Sequence, residues 1–262
     1  MKARIISVVN QKGGVGKTTT AVNLSTIFAV MDKKVLIVDI DSQGNTSSGL
    51  GIKQTERKIT SYNVFSGLNS IRDAILATEV PNLSIVSANT NLAAIELDLI
   101  QFKNYENILL EKLEEINNDF DYIIIDCPPS LGLITLNALV ACDEVLIPML
   151  CDFYSLEGLS HLLKTIEIVE KKMNPVIKIG GILFTMYDKR NKLTEQVEND
   201  VRTCLGKLVY KTTIPRNVKI SEAPSHGKAA IIYDYKCPGS RAYIELAKEI
   251  IDSEVNKEIK TV

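Results

Sequence analysis

The 262-residue chain has five cysteines, Cys127, Cys142, Cys151, Cys204 and Cys237, and no two of them stand in C-x-x-C spacing. That argues against a structural zinc site or a disulfide framework and for a reducing compartment. No apolar run approaches the ~20 residues that a membrane-spanning helix needs. The first residues run straight into a strand-like stretch, with no secretory signal before it. A cytoplasmic protein is therefore expected. There is no basic excess: net charge is −2. The molecule as a whole is not a basic nucleic-acid binder, and any DNA contact must come from a local patch. Internal repeats, low-complexity tracts and Pro/Gly/Ser linkers are also missing. One domain over residues 1–262 is the economical expectation, with a charged tail at 252–262.

With 45% apolar residues the chain can bury a sizeable core. Strand-like runs fall at 5–9, 35–38, 83–86, 122–125, 145–147 and 182–184, with a weaker one at 208–210. Several are continuous rather than alternating, as in strands buried on both faces. Helical patterns separate them. The predicted class is α/β: a mostly parallel, twisted sheet with helices on both faces. Helices are predicted at 69–78, 92–99, 105–116, 156–173 and 240–252. The glutamates at 106, 111, 114 and 115 read as a solvated helix face. The stretch Thr46-Ser47-Ser48-Gly49-Leu50-Gly51 reads as a flexible polar segment that responds to nucleotide state.

The most informative stretch is Lys12-Gly13-Gly14-Val15-Gly16-Lys17-Thr18-Thr19, between the first strand and a helical pattern. Strand, glycine loop, helix is the context of a phosphate-binding loop. Gly13, Gly14 and Gly16 permit backbone angles that a Cβ forbids, so successive N–H groups can face an anion. The helix beginning near Lys17 adds its positive end. Lys17 supplies an ammonium for terminal phosphates, and the Thr18 hydroxyl suits Mg²⁺. The usual first glycine is replaced by Gln11, and a second lysine, Lys12, opens the loop. In this form the loop resembles the deviant Walker A box of the ParA/MinD class of P-loop ATPases. The resemblance implies ATP and Mg²⁺ as ligands, with Lys12 through Thr19 forming the nucleotide-binding set. It also implies an ATP-dependent homodimer in which Lys12 crosses to the partner's phosphates.

Asp39 and Asp41 follow the second strand in Asp39-Ile40-Asp41-Ser42-Gln43-Gly44-Asn45. Parallel sheets bind ligands at the carboxyl ends of their strands. On their own such carboxylates read as solvated strand ends. The segment resembles the second signature of ParA-type ATPases. That implies Asp41 as the residue that orients or deprotonates the attacking water, and Asp39 as support for the magnesium's water shell. Asp126 ends the apolar run 122–125 and is followed by Pro128 and Pro129, as in a Walker B strand. There it holds Mg²⁺ through water or with the Thr18 hydroxyl. Asp152 stands where the family commonly has glutamate, and no role is assigned to it.

Two basic clusters remain, Lys189/Arg190/Lys192 and Arg216/Lys219. Composition alone makes them solvated faces. The segments around them resemble Soj-type sequences, which implies duplex-DNA binding without sequence preference by the ATP dimer. Lys219 replaces a commoner arginine and keeps the charge without the planar fork. The same resemblance puts Pro215 and Asn217 near the adenine. It also implies a ParB/Spo0J-type centromere-binding protein as partner and a nucleoid-associated location. Two alternatives stay open: a MinD-like membrane-surface ATPase, and a metabolic or redox enzyme resembling the nitrogenase iron protein or dethiobiotin synthetase. The tail mixes both charge signs and is a poor membrane anchor, so no membrane partner is expected.

Overall fold

The continuous apolar runs are the buried strands of one sheet. The computed structural model describes residues 2–259, with side chains through Ser253. The strands are β1 Arg4–Val8, β2 Val35–Asp39, β3 Ile75–Ala77, β4 Leu83–Val86, β5 Tyr122–Asp126, β6 Glu144–Met149 and β7 Lys178–Phe184. Their order is β3-β4-β2-β5-β1-β6-β7. All pairings are parallel except β3 with β4. β2, β5 and β6 are buried along their whole length. This explains why these strands show no apolar/polar alternation.

The helices are α1 Lys17–Val30, α2 Asn45–Gly49, α3 Ser61–Phe65, α4 Ile71–Ala74, α5 Ile95–Leu99, α6 Ile108–Glu114, α7 Leu133–Ala141, α8 Phe153–Lys172, α9 Lys192–Leu205, α10 Val218–Glu222, α11 Ala230–Tyr233 and α12 Pro238–Ile259. Alternate strand residues split between two cores. Ile6, Val8, Val35, Ile37, Tyr122 and Ile124 pack on the face covered by α1 and α12. Leu36, Val38, Ile123 and Ile125 pack on the face covered by α5 to α9. α1 lies between sheet and α12 and is buried nearly all round, its polar residues Thr20, Asn23, Ser25 and Thr26 included. Its Phe28 stacks on Tyr122 at 4.3 Å, and its Thr20 hydroxyl meets that of Tyr243 on α12 at 3.1 Å.

The structure departs from expectation at four places. Residues 69–78 are one helical turn, α4, that passes directly into the antiparallel edge strand β3. Residues 208–210 form only an isolated bridge, Ile182 with Val209. The 46–51 stretch is a short helix with Thr46 and Ser47 fully buried, not a flexible segment. The last helix runs on through the expected tail to Ile259. The tail's side chains beyond Ser253, and residues 260–262 altogether, lie outside the described residues.

Tyr210 closes the β7 edge so tightly that a Cβ on Gly181 would stand 2.4 Å from its ring. Gly206, at φ −50° with open space around it, has no such constraint. Gly181→Ala should therefore destabilise the protein by about 1–3 kcal/mol through overpacking. Gly206→Ala should be neutral or slightly stabilising. Thermal unfolding of both variants checks the contrast, and equal Tm values would contradict the packing at this edge.

Candidate functional site

β1 delivers the chain into the phosphate loop, and neighbouring strand ends clamp it. Buried Asn10 donates through Nδ2 to the Pro148 carbonyl at 2.7 Å, and its Oδ1 accepts from the Lys12 N–H at 2.9 Å. The Thr185 hydroxyl, just past β7, donates to the Val15 carbonyl at 2.8 Å. Gly14 and Gly16 take left-handed angles, φ 72° and 86°. Those two glycines need the missing Cβ. Gly13 does not: it stays out of that region, and an added Cβ would meet Pro129 at an ordinary 3.9 Å. α1 then starts with its free N–H groups toward the loop. Lys17 is buried, and its Nζ donates to the Lys12 carbonyl at 3.0 Å. Burial lowers its pKa, while the carboxylates of Asp126 and Asp41 act in the opposite direction.

Strand register brings the acids together. Asp39 and Asp126 are partners across β2 and β5, and Asp126 is also the partner of Val8 at the end of β1. Both carboxyls are fully buried. Burial first, with the Asp39 charge next, pushes Asp126 up to about 7. Burial pushes Asp39 up to about 6 against three hydrogen bonds that favour its charge. Those bonds come from Ser47, whose N–H and hydroxyl reach Oδ2 at 3.0 and 2.7 Å, and from the Asp41 N–H at 3.2 Å. The Thr46 hydroxyl donates to Asp126 Oδ2 at 2.6 Å. Asp126 Oδ1 is buried and has no hydrogen-bond partner. Asp41, also buried, accepts the Gln43 N–H on Oδ1 at 3.0 Å.

An orphaned carboxylate oxygen beside a like-charged neighbour and the Thr18 hydroxyl is an arrangement a divalent cation relieves. Among the described residues no three His, Cys, Asp or Glu side chains form a metal cage. That suits Mg²⁺, which takes one or two protein oxygens and keeps waters and phosphates as its other ligands. Thr18 and Asp126 are placed to touch such an ion. Asp39, with both oxygens occupied by internal hydrogen bonds, stands behind them.

Sequence reasoning missed several residues of this site. Thr46 and Ser47 carry no local signal, because their partners are 80 and 8 residues away. Arg57 braces the same segment, donating to the Ile52 carbonyl at 2.8 Å and to the Ser48 hydroxyl at 2.9 Å. Asp152 caps α8 through Oδ1, taking the Ser155 N–H at 2.9 Å, while its Oδ2 accepts from Lys12 Nζ at 2.6 Å. Sequence reasoning assigned Asp152 no role; an aspartate opening a helix was the one local signal that could have marked the cap.

Beside Gly16 and Thr19 opens a cavity of about 310 Å³, which Pro215 and Asn217 also line. Asn217 additionally caps α10, accepting the Lys219 N–H at 3.0 Å. A bridge between Tyr187 and Pro215 lays the two basic segments side by side. Arg190 grips Asp188 through two nitrogens, at 2.9 and 2.8 Å, and Asp188 also feels the Arg216 charge. Its carboxyl is held down at about 2, chiefly by the Arg190 hydrogen bond. Lys219 pairs with Glu222 at 2.9 Å. Lys189 and Lys192 occupy the same loop and the first turn of α9, both exposed.

Comparison with known proteins agrees with this geometry. A family profile described as an AAA domain matches residues 3–179. The chain is 48% identical to the chromosome partitioning protein ParA of Caulobacter vibrioides, over 98% of this chain and 97% of that protein. It is 49% identical to the sporulation initiation inhibitor protein Soj of Bacillus subtilis, over 94% of this chain and 98% of the other. Among solved structures, cobyrinic acid a,c-diamide synthase of Mycobacterium smegmatis, with bound ADP and magnesium, aligns with a TM-score of 0.82 at 33% identity, over 94% of this chain and 93% of that one. The chain belongs to the ParA/Soj family of chromosome-partitioning P-loop ATPases.

Asp126 offers a test of the charge balance. An acid whose folded pKa lies above its unfolded value weakens the fold as pH rises from about 4 to the folded value. In chelator, Asp126→Asn should raise Tm at pH 8 by roughly 3–8 °C, and the gain should fade as pH drops through 7 toward 5. A variant less stable than wild type at pH 8 would contradict the raised pKa. The same substitution should abolish magnesium-dependent ATP hydrolysis.

Proposed function

We propose that this ParA/Soj family member binds ATP with Mg²⁺, closes into a dimer that holds duplex DNA without sequence preference, and releases it after hydrolysis. The ADP and magnesium bound by the M. smegmatis neighbour support the choice of ligands. In this reading the amides of Lys12 to Thr19 cradle the phosphates, and Lys17 neutralises their terminal charge. Thr18 and Asp126 hold the magnesium, with Asp39 behind them. When bound, that ion offsets the charge building on the phosphate oxygens. Asp41, fixed by the Gln43 N–H, accepts a hydrogen bond from the attacking water and sets its line. Pro215 and Asn217 border the adenine. Lys12 reaches the partner's phosphates. Hydrolysis should be slow without a ParB/Spo0J-type partner, because Arg57, whose guanidinium feels the Asp39 charge, is engaged with backbone carbonyls.

The Tyr187–Pro215 pairing carries the DNA part of this reading. It joins the segment lining the nucleotide cavity to the loop holding Lys189, Arg190 and Lys192. Arg216 and Lys219 lie on the strip between them. Nucleotide binding and dimer closure can then act on one basic surface rather than two.

The MinD-like alternative depends on the C-terminal segment. Among the described residues no helix is long and apolar enough to cross a membrane, which leaves surface binding to be tested with vesicles. A small-acid ligase or amidating reading has less support, since the partition proteins are the closer matches at 48–49% against 33%.

Duplexes of unrelated sequence should bind with ATP and not with ADP, and binding should persist longer in Asp41→Ala. With at least two phosphate contacts per protomer, log affinity should fall against log salt with a slope of about −4 or steeper. Arg190→Ala should make that slope shallower by about 2 for the dimer. Filter binding across a salt series measures both. A flat salt dependence, or binding indifferent to nucleotide, would remove the DNA surface from this account.

A further inference from the structure

The first half of the phosphate loop is fastened to the start of α8 in the same chain. Lys12 Nζ stands 2.6 Å from Asp152 Oδ2, and both side chains remain about one-third exposed, at 35% and 33%. One residue earlier, Gln11 Nε2 donates to the Gly158 carbonyl at 3.3 Å. Asp152 is itself held in place: its Oδ1 accepts both the N–H and the hydroxyl of Ser155 at 2.9 Å. The next two residues, Phe153 and Tyr154, are 72% and 75% exposed. The ion pair therefore lies on an open face that a second copy of the chain can approach.

We propose that Asp152 is a positioning residue that latches Lys12 within its own chain and competes with the partner's nucleotide phosphates for it, so that it sets the threshold for ATP-dependent dimerisation. The proposal rests on the reading of Lys12 as the lysine that crosses the dimer. A lysine ammonium is a compact point charge on a flexible stem, and it can exchange one oxyanion for another by rotating. A partner phosphate carries more negative charge than one carboxylate, so it displaces Asp152 once it is close. A half-exposed pair of this kind is weak. That makes it a threshold and not a lock.

Asp152→Asn separates the latch from the cap, because asparagine caps a helix as well as aspartate but carries no charge. The measurement is sedimentation velocity across protein concentrations, with Mg²⁺ and a non-hydrolysable ATP analogue. The proteins are wild type, Asp152→Asn, Lys12→Ala and the double variant. Releasing each latch should favour closure about two- to fivefold. Two latches open per dimer, so the dimer dissociation constant of Asp152→Asn should fall by up to about 25-fold. The gain should vanish in the Lys12→Ala background, while the Asp152→Asn monomer keeps wild-type fluorescent-ADP affinity and Tm. A dimer constant for Asp152→Asn equal to or weaker than wild type overturns the latch and leaves the crossing lysine standing. Wild type and Lys12→Ala dimerising alike overturns the crossing role of Lys12 and the latch with it.

Discussion

Two buried carboxyls at the ends of neighbouring strands constrain everything around them. β2 and β5 pair so that Asp39 and Asp126 are direct partners, and adjacent strands lie only about 4.8 Å apart. Neither side chain reaches solvent. Burying one charge is costly, and burying two like charges side by side is more so. The fold contains this in two ways. Ser47, the Asp41 amide and Thr46 direct donors at the oxygens, and burial raises both pKa values, so the pair takes up protons at a higher pH than free carboxyls do. One oxygen, Asp126 Oδ1, has no donor at full hydrogen-bond geometry, and the Thr18 hydroxyl is the group beside the carboxyl. Burial at this site thus works against stability, as happens where function overrides local consistency, and a bound cation would relieve it. Binding a cation there must release the protons, which ties metal affinity to pH.

The neighbouring segment follows from that constraint. α2 turns Thr46 and Ser47 inward because the carboxyls need their hydroxyls. Its entry uses Gly44 at φ 61°, where a Cβ would meet the Ala88 carbonyl at 3.0 Å. Its exit brings Gly51 against Gly227 so closely that a Cβ on the latter would lie 2.8 Å from the Gly51 Cα. The loop after β2 is therefore in backbone contact with the segment just beyond α10. A change at the Asp39 end of the sheet has a short mechanical route to the strip that carries Arg216 and Lys219.

How much of this was legible depended on the distance over which each feature is encoded. The interior strands were readable because burial on both faces leaves a local mark, an unbroken apolar run. β3 was not. Ile75, Leu76 and Ala77 continue the apolar spacing of α4 without a break, and only pairing with Leu83–Val86 makes them a strand. The phosphate loop and the three aspartates were readable because their chemistry is written in contiguous motifs. Thr46 and Ser47 looked like loop residues because serine, threonine and glycine in sequence carry no sign of the carboxyls they serve. The Lys12–Asp152 pair spans 140 residues. The joining of the two basic clusters depends on one bridge, Tyr187 to Pro215. Neither has a local period to betray it.

Three of the cations assigned to ligands are paired with an acid of their own chain. Lys12 faces Asp152, Arg190 faces Asp188, and Lys219 faces Glu222. Only Lys17 is buried, and it turns to a backbone carbonyl instead. Half-exposed and exposed pairs contribute little to stability, because water and salt screen them. They do cancel much of the positive field that one protomer can present, which fits a chain of net charge −2. A polyanion approaching a single protomer must displace those acids for a small number of contacts. Two protomers together double the contacts, and affinity grows exponentially with the number of phosphates neutralised. On the proposed cycle, weak internal pairing would keep the monomer off DNA and leave the dimer able to bind, so that a nucleotide-controlled change in subunit number would become a steep change in DNA occupancy.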